Sequence, residues 1–393
     1  MQRGQAKWVT LILTGLCVML AGCGSSAVSQ RPAATTTTAP LPTATATPTP
    51  SPTIYVAGQA TSSDGSTTSN TVYALNSANG TVRWSKALGS ASALYVAAAG
   101  ADVYVTDESA SIIALSPADG RQLWQVKSAH GDSNLPVVDT SALYLASEGE
   151  SATDAYVDAY SSTDGKILWE RDLGANLSPN LTIAGEMLYI DSTGIGSQTT
   201  LTALRTTDGS VAWTTSVPWI ASTPTVIGDT VYLNEVGNVR AYDSANGSLK
   251  WSYTPPSQNS MGDSTVSGAA GLIFAGDSAL LIALHSANGT VAWTSPLSAI
   301  FYGTSAYNNV VYVSSGTSLV ALDAATGARK WSATLSGGDG YAPTLSNGAL
   351  FETRSVGASQ QPEGYIYALN PANGSVLWEF THPHEFYTNL AMM

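Results

Sequence analysis

The sequence predicts an all-β fold, an eight-bladed β-propeller of four-stranded antiparallel blades that occupies residues 54–393. Three observations lead to this prediction. A motif of alanine, glycine and tryptophan recurs eight times, each copy has the signature of a β-hairpin, and the composition combines 18 tyrosines with only 11% charged residues. Aromatic and β-branched residues favour strands, and we expect no helix in this domain.

The motif keeps its internal spacing throughout the chain. An alanine lies six residues before each glycine, a tryptophan lies four residues after it, and the tryptophans recur every 38 to 47 residues. The glycines are Gly80, Gly120, Gly165, Gly209, Gly247, Gly289, Gly327 and Gly374. A constant core with variable spacers is typical of a repeat fold with insertions in its loops.

Each motif predicts a hairpin. Asn or Asp precedes the glycine in seven of the eight copies, with Thr326 as the exception. These pairs tolerate positive φ between two strands. Two more strand candidates precede each hairpin, as at 223–226 and 230–233. Four strands in about 40 residues correspond to one propeller blade.

The eight motif tryptophans are predicted to be structural. We expect each indole to pack over backbone and small residues at a blade interface, with the motif alanine as its seat, and to donate its N–H to a carbonyl. The tryptophans are Trp84, Trp124, Trp169, Trp213, Trp251, Trp293, Trp331 and Trp378, and the alanines are Ala74, Ala114, Ala159, Ala203, Ala241, Ala283, Ala321 and Ala368.

The two ends of the repeat region are predicted to join. A proline-rich stretch precedes Ile54, so blade one lacks an inner strand of its own. Residues 386–392 follow the last tryptophan where other units carry that strand. We therefore expect this C-terminal segment to close the ring and to remove a free sheet edge.

The first 22 residues are predicted to be an export signal. Arg3 and Lys7 precede an apolar run at 8–20, which is too short to span a bilayer. The run ends in Leu-Ala-Gly before Cys23 and resembles a bacterial lipobox, in which Cys23 becomes the acylated N-terminus. The alternative is an ordinary secretory signal with a chance cysteine. Lipidation would anchor the protein to the outer face of the cytoplasmic membrane, at the cell surface or in the periplasm.

Residues 23–53 are predicted to be a disordered tether, because Thr, Pro, Ala and Ser dominate and cannot bury apolar area. Removal of residues 1–22 leaves 13 basic against 28 acidic residues, a net charge of −15. This charge disfavours nucleic acid. We expect a monomer with other envelope proteins or a neutral or cationic ligand as partners.

The recurring Ala-Leu-x-x-x-x-Gly-x-x-x-Trp pattern is similar to the tryptophan-docking motif of the pyrroloquinoline-quinone (PQQ) enzyme-like propellers. Within that superfamily the size, the eight repeats and the lipobox resemble the propeller lipoproteins of the outer-membrane β-barrel assembly machine. This resemblance implies non-catalytic scaffolding or partner binding. Assembly of outer-membrane proteins is one alternative, although the long tether differs from a periplasmic assembly factor.

A quinone-dependent oxidoreductase is the other alternative. The resemblance implies that such relatives use PQQ, a calcium ion held by carboxylates and an amide, and an Asp base. Many also carry a disulfide of adjacent cysteines, but this chain has no cysteine in its repeats. We therefore expect no enzyme activity, no cofactor and no resident metal. We interpret the segment that contains His382, His384 and Glu385 as a loop and not as a metal site. His130 and His285 have no partner at metal-ligand spacing in the sequence.

Large aromatic residues stand just before several predicted inner strands, at Trp219, Phe301, Tyr302, Tyr341, Phe386 and Tyr387. Inner strands line the axial channel of a propeller, so these side chains could surround one channel mouth. Aromatic rings with a few polar groups suit sugars, peptides or flat ligands. The alternative is that these rings fill gaps between the blades.

Overall fold

The computed structural model describes residues 52–61, 67–89, 94–100, 102–131, 135–148, 154–174, 180–193, 199–218, 222–235, 238–255, 265–277, 280–297, 301–356, 363–382 and 385–393. These residues form strands, turns and short irregular segments, and none of them is helical. Within these ranges, no helix has the length and apolar character that crossing a membrane requires. The predicted signal segment, Cys23 and nearly all of the tether lie outside the described residues.

The strands follow the repeat. In blade one they are β1 (Thr53–Thr61), β2 (Thr67–Asn76) and β3 (Val82–Gly89); in blade two, β4 (Leu94–Ala99), β5 (Asp102–Asp107), β6 (Ser111–Leu115) and β7 (Gln122–Lys127). Blade three has β8 (Val137–Val138), β9 (Ala142–Glu148), β10 (Ala155–Ser161) and β11 (Ile167–Asp172). Blade four has β12 (Asn180–Ala184), β13 (Met187–Thr193), β14 (Thr199–Arg205) and β15 (Val211–Val217).

The second half repeats this order. Blade five has β16 (Thr225–Ile227), β17 (Thr230–Glu235), β18 (Asn238–Asp243) and β19 (Leu249–Tyr253); blade six has β20 (Ser267–Ala269), β21 (Leu272–Asp277), β22 (Leu280–His285) and β23 (Val291–Pro296). Blade seven has β24 (Phe301–Tyr307), β25 (Val310–Ser315), β26 (Ser318–Asp323) and β27 (Arg329–Thr334). Blade eight has β28 (Asp339–Gly340), β29 (Thr344–Ser346), β30 (Ala349–Val356), β31 (Glu363–Leu369) and β32 (Val376–His382), and β33 (Glu385–Met392) ends the chain.

All eight blades are antiparallel sheets, which confirms the predicted eight-bladed propeller. Blade eight differs from the others, because β28 and β29 both pair with β30 and divide its inner strand into two pieces. Pro343 lies in the gap between these two strands. Proline has no N–H to donate to a sheet, so the interruption falls where the sequence cannot continue the ladder.

The C-terminal strand closes the ring as predicted. β33 pairs antiparallel with β1, with Ile54 opposite Met392 and Ala60 opposite Glu385. The backbones of Thr53 and Met393 exchange two hydrogen bonds of 3.2 Å at the end of this ladder. The resulting sheet has the order β3-β2-β1-β33, so the C-terminal strand supplies the inner strand of blade one.

The tryptophans join each blade to the next one, but their seat differs from the prediction. Ala74 is the strand partner of Trp84 within blade one, so the alanine does not seat the indole of a neighbouring blade. The ring of Trp84 lies instead over Gly120 of blade two, where an added β-carbon would stand 2.6 Å from Cε3. The same contact recurs at every interface and ends with Trp378 over Gly80.

Each indole also donates its N–H to a backbone carbonyl in the next blade. The eight acceptors lie 2.8 to 3.1 Å from Nε1 and belong to Ser77, Pro117, Ser162, Thr206, Ser244, Ser286, Ala324 and Pro371. Glycine is required at the seat for two reasons. The ring leaves no room for a side chain, and the motif glycines have φ between 66° and 73°.

The hydrophobic core is divided among the blade interfaces. The described residues include eight buried clusters, and each contains residues from two adjacent blades. A second aromatic ring accompanies each of the eight motif tryptophans, with ring centroids 5.7 to 6.0 Å apart. These partners are Tyr55, Tyr104, Tyr144, Tyr189, Tyr232, Phe274, Tyr312 and Phe351. Burial between blades therefore holds the fold together, and the inner strands remain free to line the axis.

Candidate functional site: a cavity at the axis

A cavity of about 590 Å³ lies where inner strands from several blades converge. We call it the axial cavity; its lining residues are Gln59, Tyr95, Leu135, Thr265, Tyr341, Ala342, Thr344, Thr353, Phe386, Tyr387, Asn389 and Leu390. They come from blades one, two and eight and from the segments that enter blades three and six. Its volume is within the usual range of ligand pockets, about 300 to 1,000 Å³.

The closing strand builds one wall of the axial cavity. Asn389 of β33 uses its side-chain amide to bridge to blade two: its Oδ1 accepts the N–H of Val96 at 3.1 Å, and its Nδ2 donates to the carbonyl of Val96. The amide thus pairs with the edge of β4 as a backbone unit would. This link fixes the position of β33 relative to blade two beside the cavity.

A buried ion pair supports the part of the wall that blade eight supplies. Glu352 and Arg354 of β30 are both fully buried and lie 2.9 Å apart. Arg354 Nη1 also donates to the carbonyl of Gly338 at 2.8 Å and to that of Gly316 at 3.1 Å. Burial raises the pKa of Glu352, while the Arg354 guanidinium and the Ser314 hydroxyl favour its charged form. The pair therefore holds the chain that leads to Tyr341 against blade seven.

Tyr341 is held by its backbone, which leaves its ring available. Its N–H donates to the carbonyl of Thr353 at 3.1 Å, and its own carbonyl accepts the Ser314 hydroxyl at 3.0 Å. The side chain is 51% exposed. An exposed aromatic ring on a fixed backbone can contact a ligand at little cost in conformational entropy.

Only some of the predicted aromatic residues lie at the axial cavity in the described part of the structure. Tyr341, Phe386 and Tyr387 line the axial cavity. Tyr387 is fully buried, so its ring backs the wall and fills space between blades one and eight, as the gap-filling alternative expects. Trp219 lies outside the described residues. The backbones of Phe301 and Tyr302 belong to β24, but their side chains are outside the described part of the structure.

The sequence analysis did not identify several lining residues. Tyr95 lies at the start of β4, the inner strand of blade two, which is equivalent to the positions that were singled out. Burial raises the pKa of Tyr95, and the charges of Glu108 and Tyr341 raise it further. The same aromatic rule would have found Tyr95 if the start of β4 had been known. Gln59 and Asn389 carry no comparable signal, because amides are common on exposed strands.

The structure also shows the surroundings of two histidines that the sequence analysis considered, His130 and His382. The sequence offers His130 no partner at metal-ligand spacing, but in the structure its Nδ1 lies 3.0 Å from the carboxylate of Asp158 and its Nε2 lies 4.0 Å from that of Glu170. These partners are 28 and 40 residues away in sequence, so no local spacing indicates them. His382 lies 3.6 Å from Glu385, and His384 is outside the described residues.

Comparison with known proteins places the chain among related propellers. The sequence model of the family described as outer membrane protein assembly factor BamB matches residues 26–154, 153–271 and 257–390. Outer membrane protein assembly factor BamB from Yersinia pestis is 25% identical over 216 residues, which are 51% of this chain and 52% of that protein. The match therefore spans about half the length of this relative.

Solved structures share the architecture. BamB from Moraxella catarrhalis aligns with a TM-score of 0.57 at 14% identity and covers 72% of this chain and 88% of that one. A quinohemoprotein alcohol dehydrogenase from Comamonas testosteroni aligns with a TM-score of 0.60 at 14% identity, covering 81% of this chain and 72% of that one. At such identities these likenesses show the fold alone.

The described lining of the axial cavity does not fit the calcium ion of the enzymatic propellers. Calcium takes about six to eight oxygen ligands, usually with several carboxylates. No Asp or Glu is among the described residues that line the cavity. The two nearby glutamates are already engaged, Glu352 by Arg354 and Glu385 by the hydroxyl of Tyr73 at 2.9 Å. The lining instead offers phenols, hydroxyls, amides and apolar groups.

Proposed function

Because this chain belongs to the outer membrane protein assembly factor BamB family, we propose that it is a non-catalytic binding scaffold of the cell envelope. The observation that carries the proposal is the axial cavity, whose described lining has no carboxylate or basic side chain. Such a surface suits an uncharged, partly apolar ligand or protein segment. Among the described lining residues there is no His, Asp, Glu, Lys or Cys side chain to act as a general acid or base.

The proposal includes export and anchoring through Cys23. A lipid on Cys23 and the tether of residues 23–53 would hold the propeller at the outer face of the cytoplasmic membrane. The envelope assignment agrees with the family, whose description names an outer membrane assembly factor. Assembly of outer-membrane proteins is the second candidate function, and the same family description favours it.

Site-specific crosslinking in the producing cell tests the binding role. We would replace Tyr341 by p-benzoylphenylalanine in the full-length chain, irradiate intact cells and identify the adducts by mass spectrometry. Leu168 is the matched control position, because it is 54% exposed but lies on the outer strand of blade three. We expect position 341 to give a discrete adduct with an envelope protein and position 168 to give none.

The adduct also separates the candidate functions. A β-barrel insertase at position 341 would support the assembly role, whereas another envelope protein would support a different scaffold role. Tyr341→Ala should then weaken the captured complex by about 2 kcal/mol, as truncation of an aromatic interface residue does. Equal labelling at positions 341 and 168 would contradict the proposal. Dye-linked alcohol oxidation by the purified chain with PQQ and Ca²⁺ would contradict its non-catalytic part.

A further inference from the structure

Blade three departs from the repeat at one buried position. The residue before the motif alanine is Asp158 in this blade, whereas the other seven blades have no acid there. Asp158 is fully buried, and its strand partner on β11 is Glu170. Directly paired residues project from the same face of a sheet. Two carboxylates therefore lie side by side at the interface with blade two.

A histidine from the preceding connection covers these carboxylates. His130 follows β7, and its Nδ1 lies 3.0 and 3.2 Å from the two carboxylate oxygens of Asp158. Its ring stacks on Tyr156 at a centroid distance of 3.7 Å and an interplanar angle of 6°. The adjacent N–H of Ala129 donates to the hydroxyl of Tyr160 at 2.9 Å, and that hydroxyl donates to Asp158. The position and tilt of the imidazole are thus set by several contacts.

This arrangement leaves one imidazole nitrogen directed at Glu170. The distance from His130 Nε2 to Glu170 Oε1 is 4.0 Å, which is too long for a hydrogen bond. Two ligands about 2.1 Å from one tetrahedral zinc ion stand about 3.4 Å apart. Glu170 is half exposed, so a rotamer adjustment of about 0.6 Å brings both atoms to that separation.

The surrounding charge favours a cation. Besides Asp158 and Glu170, the carboxylates of Asp154 and Asp172 lie near the ring of Tyr156, which stacks on His130. The guanidinium of Arg171, the next residue after Glu170, donates to the carbonyl of Gly209 in blade four at 2.7 Å. The positive charge of Arg171 therefore lies at the interface of blades three and four, on the other side of the blade.

We propose that His130 Nε2 and the carboxylate of Glu170 bind a divalent transition-metal ion of the zinc class at the interface of blades two and three. Asp158 is the positioning residue, because its contact with Nδ1 orients the imidazole and selects the tautomer that presents Nε2. Imidazole with carboxylate suits Zn²⁺ and its first-row neighbours. Water or a donor group from a bound partner completes the coordination, since His130 and Glu170 both reach the surface.

Metal titration of the purified protein tests the site. The full mature chain would be prepared in detergent without a histidine tag, stripped with EDTA and titrated with ZnCl₂ by isothermal calorimetry. We expect one Zn²⁺ per chain and a visible absorption spectrum when Co²⁺ is used in its place. His130→Ala and Glu170→Gln should lower the affinity at least 10-fold, and Asp158→Asn about 10- to 100-fold.

The controls separate a lost ligand from a lost fold. Glu379→Gln alters the equivalent strand position in blade eight and should bind Zn²⁺ as the parent does. Asp172→Asn removes a nearby negative charge without removing a ligand, so it should cost less affinity than Glu170→Gln. Thermal melting of each variant reports folding. Absence of Zn²⁺ and Co²⁺ binding in the parent, or unchanged affinity in Glu170→Gln, would overturn the proposal.

Discussion

Each tryptophan rests on a glycine that belongs to the next blade, and this pairing explains why both residues recur together. Gly120 must adopt φ of 70° for its hairpin and must also leave space for the ring of Trp84. A β-carbon at Gly120 would stand 2.6 Å from that ring. One residue therefore serves the turn of its own blade and the packing of the preceding blade.

Gly120→Ala should destabilise the propeller through both effects. We expect a loss of about 2 to 4 kcal/mol, from a strained positive φ and from overpacking against the indole. Gly228→Ala is the matched control, because φ there is 63° but no heavy atom lies within 4 Å of an added β-carbon. Denaturant unfolding should show a clearly smaller loss for Gly228→Ala. Equal losses would mean that the indole contact contributes little.

The buried carboxyl of Asp191 is expected to make the stability of the fold depend on pH. Burial raises the pKa of Asp191 from 3.8 to about 7, although Asn180 donates two hydrogen bonds to it. The folded state thus retains a proton that the unfolded chain has lost. Stability from this group is complete below pH 4 and declines as the pH rises to about 7, by about 4 kcal/mol in all.

Asp191→Asn should remove this dependence. Its amide oxygen can still accept the N–H of Asn180, but the side chain no longer titrates. We expect the unfolding free energy of the parent to fall relative to that of this variant by about 4 kcal/mol between pH 4 and pH 8. Glu186→Gln, an exposed carboxyl in the same blade, should keep the parental pH profile. A parallel profile for Asp191→Asn would refute the assignment.

At the scale of the element, every outer strand carries an extra residue beside its motif tryptophan. The register between the third and fourth strands shifts directly after the motif alanine in all eight blades. The residue before each motif tryptophan is therefore the extra residue of a β-bulge, and two consecutive side chains face outward there. Ile167 and Leu168, or Val376 and Leu377, are exposed for this reason.

The inner strand of blade eight depends on an ion pair rather than on a continuous ladder. Arg354→Met should leave the charge of Glu352 buried without its partner and cost about 3 to 5 kcal/mol. The double variant Arg354→Met with Glu352→Leu removes both charges and should recover most of that loss. Denaturant midpoints of the two variants would measure the difference. A double variant as unstable as the single one would show that the pair contributes through packing alone.

At the scale of the whole molecule, one strand joins the two ends of the propeller. β33 covers the edge of β1, backs the axial cavity with Tyr387 and contacts blade two through Asn389. Blade one without β33 would expose a free edge next to its two neighbours. The sheet of blade one is therefore complete only when β33, the last strand of the chain, has paired with β1.

Deletion of residues 385–393 should abolish the cooperative melting of the propeller. The truncated chain loses the inner strand of blade one and the two contacts that this strand makes with its neighbours. Differential scanning calorimetry would report the change, and a synthetic peptide of residues 385–393 added in trans should restore part of the transition. A truncated chain that melts like the parent would show that the ring is stable without this strand.

The sequence determined the number of blades, the hairpins and the closing strand, because these depend on local turn chemistry and on a strictly spaced motif. It also singled out Tyr341 and Phe386 for the axial cavity, since inner strands begin at predictable places. It assigned the indole seat to the wrong residue: alanine and glycine are both small, and only the docking of adjacent sheets shows which of them meets the ring.

Only the tertiary structure brought together residues with no common spacing. Glu352 and Arg354 lie against a loop of blade seven, and His130 meets Asp158 and Glu170 across a blade interface. Arg354 is 38 residues from its acceptor Gly316, and His130 is 28 residues from Asp158, so no periodicity connects these groups. Local conformational preferences act over a few residues and are readable in the chain, whereas the meeting of side chains depends on how whole sheets pack around the axis.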